Sequence, residues 1–224
     1  MNLKKIILFC LELLFPPRCV FCGRIVAPGT KICPECAKEV SPVNAVRRMK
    51  LPGSGKAIEC AVLYAYRDRV RQSIIRFKFY GEKSNADFYA EKLAELVEKH
   101  LDPSRFDLVT AVPVSEERKK SRGFNQSELL ARPLARKLGL PYAECLVKVR
   151  DNPEQHLLSR QKRLRNVRGV YRALRPQTPG KRILLVDDIV TTGSTLSECA
   201  RTLYAGGAAG VGCAALAQVG EERG

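Results

Sequence analysis

Residues 183–195 read ILLVDDIVTTGST: an apolar run, two adjacent acids, then four hydroxyl residues around one glycine. Asp187 and Asp188 can accept hydrogen bonds from two vicinal hydroxyls of a sugar. Thr191, Thr192, Ser194 and Thr195 offer hydroxyl donors, and Gly193 lets backbone come close to a ligand. If this loop opens a helix, its free N–H groups and the positive end of the helix dipole suit a phosphate. Consecutive residues of a strand point to opposite faces, so the chain must turn here if both acids serve one ligand. Taken alone, an Asp-Asp pair is also what an ordinary capped helix start looks like. The whole unit of strand end, acids and hydroxyl loop points to a phosphorylated sugar.

A second constellation is Cys19-x2-Cys22-x10-Cys33-x2-Cys36. Four thiolates in two close pairs make a closed tetrahedral shell, which predicts a structural zinc site with no open position. Rubredoxin-type iron, or a disulfide or redox pair, uses similar spacing. Pro17, Gly23, Pro28, Gly29 and Pro34 supply the turns such a knuckle needs. Cys10, Cys60, Cys145, Cys199 and Cys213 stand singly among apolar neighbours. They read as small core hydrophobes in a reducing, cytoplasmic protein.

Lysine and arginine number 39 against 23 acids, a net charge of +16. That excess favours polyanionic partners: nucleic acid, anionic membrane or phosphorylated substrates. One basic cluster, Arg118, Lys119, Lys120 and Arg122, follows the apolar segment Ala111-Val-Pro-Val114. These side chains suit a pyrophosphate or a nucleic-acid backbone, as does Lys78 in RFKFYGEK. A second cluster holds Arg160, Lys162, Arg163, Arg165 and Arg168. The alternative for each cation is a solvated surface charge. Arg18, Arg24 and Lys31 permit a nucleic-acid role for the knuckle. His100 and His156 are isolated and have no neighbour that would form a catalytic dyad.

The elements that must hold these groups alternate between strand and helix. Residues 1–15 predict a short, mostly apolar helix, 16–42 the four-cysteine zinc knuckle, and 43–57 a basic, turn-rich linker. The main domain runs over 58–224. The apolar run after Lys4 and Lys5 is cut by Glu12, Pro16 and Pro17, too short for a transmembrane segment and without a signal cleavage site. Within the main domain, strands are expected at 58–66, 107–114, 145–149, 183–186 and 211–217. Helices are expected from Asp68, with Val70, Ile74 and Phe77 on one face, and from a Ser84-x-x-Asp87 capping box, with Tyr89, Leu93, Leu96 and Val97. Two more are expected around Leu130, Leu134 and Leu138, with Pro133 bending that helix or shifting its start, and over 194–205. Ser115 to Gly123 reads as a loop. The alternation predicts an α/β fold with a parallel sheet covered on both faces.

The string ILLVDDIVTTGST resembles the phosphoribosyl pyrophosphate motif of type I phosphoribosyltransferases. That resemblance implies that Asp187 and Asp188 take the ribose hydroxyls and that Thr191 to Thr195 hold the 5′-phosphate. It also implies a Mg²⁺ ion shared with the pyrophosphate. The order of parts (four-cysteine knuckle, FKFYG, VPV, RGFNQ at Arg122 to Gln126, the Gln155 to Val167 string, then VDDIVTTG) is similar to the ComF competence family over nearly the whole chain. This implies a type I phosphoribosyltransferase fold with an N-terminal zinc ribbon or knuckle. The implied role lies in DNA uptake during natural transformation, with single-stranded DNA and a helicase or translocase of the uptake machinery as partners. Three functions stay open: a phosphoribosyltransferase, a non-catalytic phosphoribosyl pyrophosphate sensor or DNA adaptor in which Phe124 could stack on bases, and a transcription regulator. The last lacks a preceding helix-turn-helix.

Overall fold

The computed structural model describes residues 16–51, 54–79, 85–150 and 168–220. The expected N-terminal helix at 1–15 with Cys10, Ser84 of the expected capping box, His156, and Arg160 to Arg165 of the second basic cluster lie outside them. Among the described residues the chain forms α1 (Pro34–Glu39), β1 (Ala45–Lys50), β2 (Ala57–Ala65), α2 (Asp68–Phe79) and α3 (Ala86–His100). Then come β3 (Leu108–Ala111), α4 (Glu116–Arg122), α5 (Gln126–Lys137), β4 (Leu146–Lys148) and β5 (Tyr171–Ala173). β6 (Arg182–Val190), α6 (Ser194–Ala205) and β7 (Gly210–Gln218) follow.

The main sheet has the order β1-β2-β7-β6-β3. β1 pairs antiparallel with β2, and the other three pairings are parallel. A separate two-stranded antiparallel sheet joins β4 to β5. The apolar run of β6 is divided between two cores by the strand's period of two. Leu184 and Val186 join a core with α2, α3 and α5, while Ile183 and Leu185 join one with α6. Residues 213–216 of β7 alternate in the same way. A run apolar on both sides is what a central parallel strand requires.

Three expectations change. Residues 43–57 are not a simple linker, because β1 runs through them and buries Met49. The expected loop at 115–123 contains α4. Ser115 caps it by accepting from the Arg118 amide, acids fill its first turn, and Gly123 closes it at φ +75°. β6 continues beyond 186 through both acids to Val190. α5 runs through Pro133 without ending there. Cys60, Cys145, Cys199 and Cys213 are all buried, as core hydrophobes should be.

The knuckle is built into the larger core. Cys19, Val20, Phe21, Cys33 and Cys36 are buried in the same cluster as Ile74, Phe77 and Tyr89. Phe21 meets Tyr64 and Phe88 edge-on, with centroids 5.6 and 6.1 Å away. This geometry adds to the apolar area the ring removes from water.

Candidate functional site

A cleft of about 220 Å³ opens at the carboxyl ends of β3 and β6. In open α/β sheets this end of the strands is where ligands sit. Both acids reach the cleft. Asp187 keeps its place in the ladder opposite Ala215, whereas Asp188 drops out of the register with β7. The Asp188 amide donates to Asp187 Oδ1 at 2.9 Å, and the Ile189 amide donates to Asp188 Oδ1 at 2.7 Å. The backbone thus turns its amides onto the carboxylates, which resolves the problem of two consecutive residues serving one pocket.

Each acid has its own partner. Ser127 Oγ donates to Asp187 Oδ1 at 2.9 Å. Lys78 Nζ lies 2.6 Å from Asp188 Oδ2, and both side chains are largely buried. Burial pushes the Asp187 carboxyl up to about 7, and the neighbouring Asp188 charge adds to this; the Ser127 hydroxyl and the Lys78 ammonium pull the other way.

The hydroxyl loop stands beside the acids. Thr191, Gly193, Ser194 and Thr195 line the cleft. The N-cap of α6 is Gly193 at φ +80°, which has no side chain to cap the helix; the Thr192 hydroxyl takes only the first amide, that of Ser194, at a long 3.4 Å. The start of α6 thus lies at the cleft, with Gly193, Ser194 and Thr195 among its lining residues, and a helix N-terminus suits an anion. A Cβ on Gly193 would come within 2.6 Å of Met49 Sδ. Arg47, also on β1, donates to the Thr191 carbonyl at 3.5 Å. The segment expected to be a linker thus supports the loop from behind. Thr192 is not a lining residue; its hydroxyl is 2.6 Å from Ser194 Oγ and braces the turn.

Of the first basic cluster, Arg118 and Arg122 line the cleft, and Lys119 lines a neighbouring cavity with Glu128 and Tyr142. One helical turn separates Arg118 from Arg122, so α4 presents them on one face and Lys119 on another.

The RGFNQ string builds this wall. Asn125 caps α5 by accepting from the Ser127 amide, and its Nδ2 donates to the Val112 carbonyl at 3.0 Å. Gln126 Nε2 donates to the Lys78 carbonyl at 3.3 Å, and Arg122 donates to Gln126 Oε1 at 3.4 Å. Ser127, Gln126, Lys148 and Tyr171 are cleft residues that reading the sequence missed. Ser127 follows directly on RGFNQ as a polar residue in the first turn of a helix, and that position was the available signal.

The four knuckle sulfurs lie within 4.8 Å of one another. Cys22 and Cys33 Sγ are 3.7 Å apart, too far for a disulfide. A tetrahedral ion with bonds of about 2.3 Å holds its sulfurs about 3.8 Å apart, so the spacing fits zinc. The Cys33 amide donates to Cys19 Sγ and the Cys36 amide to Cys33 Sγ, which orients the ligands. Burial alone would raise the Cys19 thiol, but amides of Cys33, Cys22 and Phe21 bring it down to about 7. Cys36 is pushed up, by burial first and then by the other three thiols. A cation among them relieves that crowding. Arg24 pairs with Glu35 at 2.6 Å, and Arg18 donates to the Gly23 carbonyl.

No helix among the described residues is long and apolar enough to cross a membrane. Residues 125–224 match the phosphoribosyl transferase domain, and residues 10–47 match the double zinc ribbon domain. The chain is 31% identical over 200 residues to the DNA utilization protein YhgH of Escherichia coli (strain K12), covering 86% of each chain. It is 31% identical over 184 residues to the competence protein ComFC of Bacillus subtilis (strain 168), covering 80% of this chain and 73% of that one. A crystal structure of adenine phosphoribosyltransferase from Thermoanaerobacter pseudethanolicus aligns at 17% identity and a TM-score of 0.40, over 82% of this chain and 98% of that one. With a phosphoribosyl transferase domain, a zinc-ribbon N-terminus and likeness to YhgH and ComFC over most of its length, the chain belongs to the ComF/YhgH competence family.

Proposed function

We propose that the cleft binds 5-phosphoribosyl 1-pyrophosphate, and that the protein serves the uptake or use of DNA in the cytoplasm. One observation carries the reading of the cleft: Asp187 and Asp188 share it with the glycine-led start of α6, and Lys78, Arg118 and Arg122 stand around them. In this reading the two carboxylates accept from the ribose 2′ and 3′ hydroxyls. Amides and hydroxyls of 191–195 take the 5′-phosphate, and the cations face the pyrophosphate. A carboxylate pair this crowded gains from a further positive charge, so the donor set fits a substrate that arrives with Mg²⁺. An ion brought in this way would supply positive charge to the leaving pyrophosphate.

Turnover would break the bond between C1 and the pyrophosphate oxygen, and the electron pair would leave on pyrophosphate. A nucleophile such as a base nitrogen forms the new bond to C1. Asp187 and Asp188 fix the ring, and Arg118 and Arg122 stabilise the departing charge. No side chain forms a covalent bond.

The net charge of +16 favours single-stranded DNA as a second ligand, held for a helicase or translocase partner. Affinity for an oligonucleotide should then fall steeply with salt, and no binding at low salt would remove this part. The names of the relatives, DNA utilization protein and competence protein, support the same cellular setting.

Calorimetry with phosphoribosyl pyrophosphate and Mg²⁺ tests the cleft. The intact chain should bind, and the Asp187→Asn/Asp188→Asn variant should lose at least about a hundredfold in affinity, because each amide puts a donor where an acceptor is needed. Equal binding by both proteins would refute the assignment. Pyrophosphate release across purine, pyrimidine and nucleic-acid acceptors separates the enzyme from the sensor: tight donor binding with no turnover favours the sensor.

A further inference from the structure

We propose that Arg76 is a positioning residue that ties the cleft to the metal state of the knuckle. Val20 and Phe21 are the two residues between the first pair of cysteines, so their carbonyls sit where Cys19 and Cys22 place them. Arg76 Nη2 on α2 donates to the Val20 carbonyl at 3.0 Å and to the Phe21 carbonyl at 2.9 Å. Ser73, one turn earlier on α2, donates to the same Val20 carbonyl and contacts the Tyr89 hydroxyl of α3. Two residues beyond Arg76, Lys78 reaches across to Asp188. Residues two apart on a helix project about 200° from one another. α2 is therefore gripped by the knuckle on one side and extends its lysine into the cleft on the other.

This arrangement makes α2 a rigid spacer between two sites. A metal ion draws the four sulfurs together and fixes the turn at 19–22. Without its bonds nothing holds the four sulfurs to one point, and the two carbonyls that hold Arg76 are free to shift. The Lys78–Asp188 contact of 2.6 Å is partly buried and does not survive a displacement of about 1 Å in good geometry. Gln126 holds the Lys78 carbonyl from the opposite wall, so a shift of α2 also reaches the RGFNQ segment. Coupling to ligand binding rests on the reading of the cleft given above; coupling to Lys78 does not.

The test compares lysine acetylation of the full zinc-loaded chain with that of its Arg76→Gln and Arg76→Lys variants. An activated acetyl ester is the probe, and mass spectrometry reads each site. Lys99, exposed on α3, is the internal reference. In Arg76→Gln the zinc content should stay at one per chain, while Lys78 acetylates about tenfold faster and Lys99 is unchanged. Arg76→Lys, which restores a cationic donor, should recover part of the protection. Stripping zinc from the wild type should also expose Lys78, and stripping it from Arg76→Gln should add little. Affinity for phosphoribosyl pyrophosphate should fall in step with Lys78 exposure. Unchanged Lys78 protection in zinc-loaded Arg76→Gln overturns the proposal, as does full protection in the zinc-free wild type. If removal of zinc unfolds the chain, far-ultraviolet circular dichroism reports the loss of helix and the zinc-loaded Arg76→Gln comparison decides alone. If Lys78 responds as expected and no ligand binds any variant, the coupling stands and the reading of the cleft falls.

Discussion

Asp187 should make the fold less stable as pH rises, and replacing it with asparagine should remove that dependence. Its carboxyl is shifted from 3.8 up to about 7 in the folded chain. Between those values the native state holds a proton that the unfolded chain releases, so unfolding free energy declines as pH increases. At 1.36 kcal/mol per unit, the whole shift amounts to about 4 kcal/mol. About 3 kcal/mol of it falls between roughly pH 4.5 and pH 8. The substituted asparagine does not titrate, and its side-chain oxygen can still accept from Ser127 and from the Asp188 amide. Other groups add their own slopes, including Asp107, which Arg182 holds down to about 2. The difference between the two proteins therefore isolates the Asp187–Asp188 pair from those other slopes. Urea unfolding of zinc-loaded wild type and Asp187→Asn at several pH values measures it. Asp187→Asn should gain on the wild type by about 2–3 kcal/mol across that range. A difference that stays level with pH, or that moves toward the wild type, would refute the reasoning.

Gly193→Ala should weaken phosphoribosyl pyrophosphate binding, since the new Cβ meets Met49 and the backbone sits at φ +80°. Adding Met49→Ala relieves the collision and not the backbone strain, so calorimetry should show partial recovery only. Ser127→Ala leaves Asp187 without its hydroxyl donor and should raise that carboxyl further, which carbon-13 NMR of labelled aspartate would report. Phe21→Ala should lower stability by about 3–5 kcal/mol while zinc stays bound, read by thermal melting and metal analysis.

The candidate site is visible in thirteen consecutive residues because its parts are local. An apolar strand, its carboxyl end and a helix start follow one another in the chain, and α6 spans the expected 194–205. What stayed hidden depends on contacts distant in sequence. β1 carries Arg47, Arg48 and Lys50, and only Met49 in it is buried, so its basic composition masks an edge strand that backs the loop at 191–193. Ser127 looks like any polar residue on a helix until α5 is docked against β6. α4 was a different kind of miss. Its serine cap, leading acids, trailing cations and closing glycine form a complete helix signature that the basic charge overshadowed.

The strand order joins early residues of the chain to late ones. β7, the last of the described elements, lies between β2 and β6, so the hairpin of β1 and β2 touches the rest of the sheet only through it. During synthesis, neither half can close its hydrogen-bond ladder until β7 has left the ribosome. The buried flanks of β2 and β6 stay open until then, exposed to chaperones and to one another. A chain cut shortly before residue 210 and released would hold two unjoined sheets, and the back support of the loop would be missing even though every residue that lines the cleft had been made.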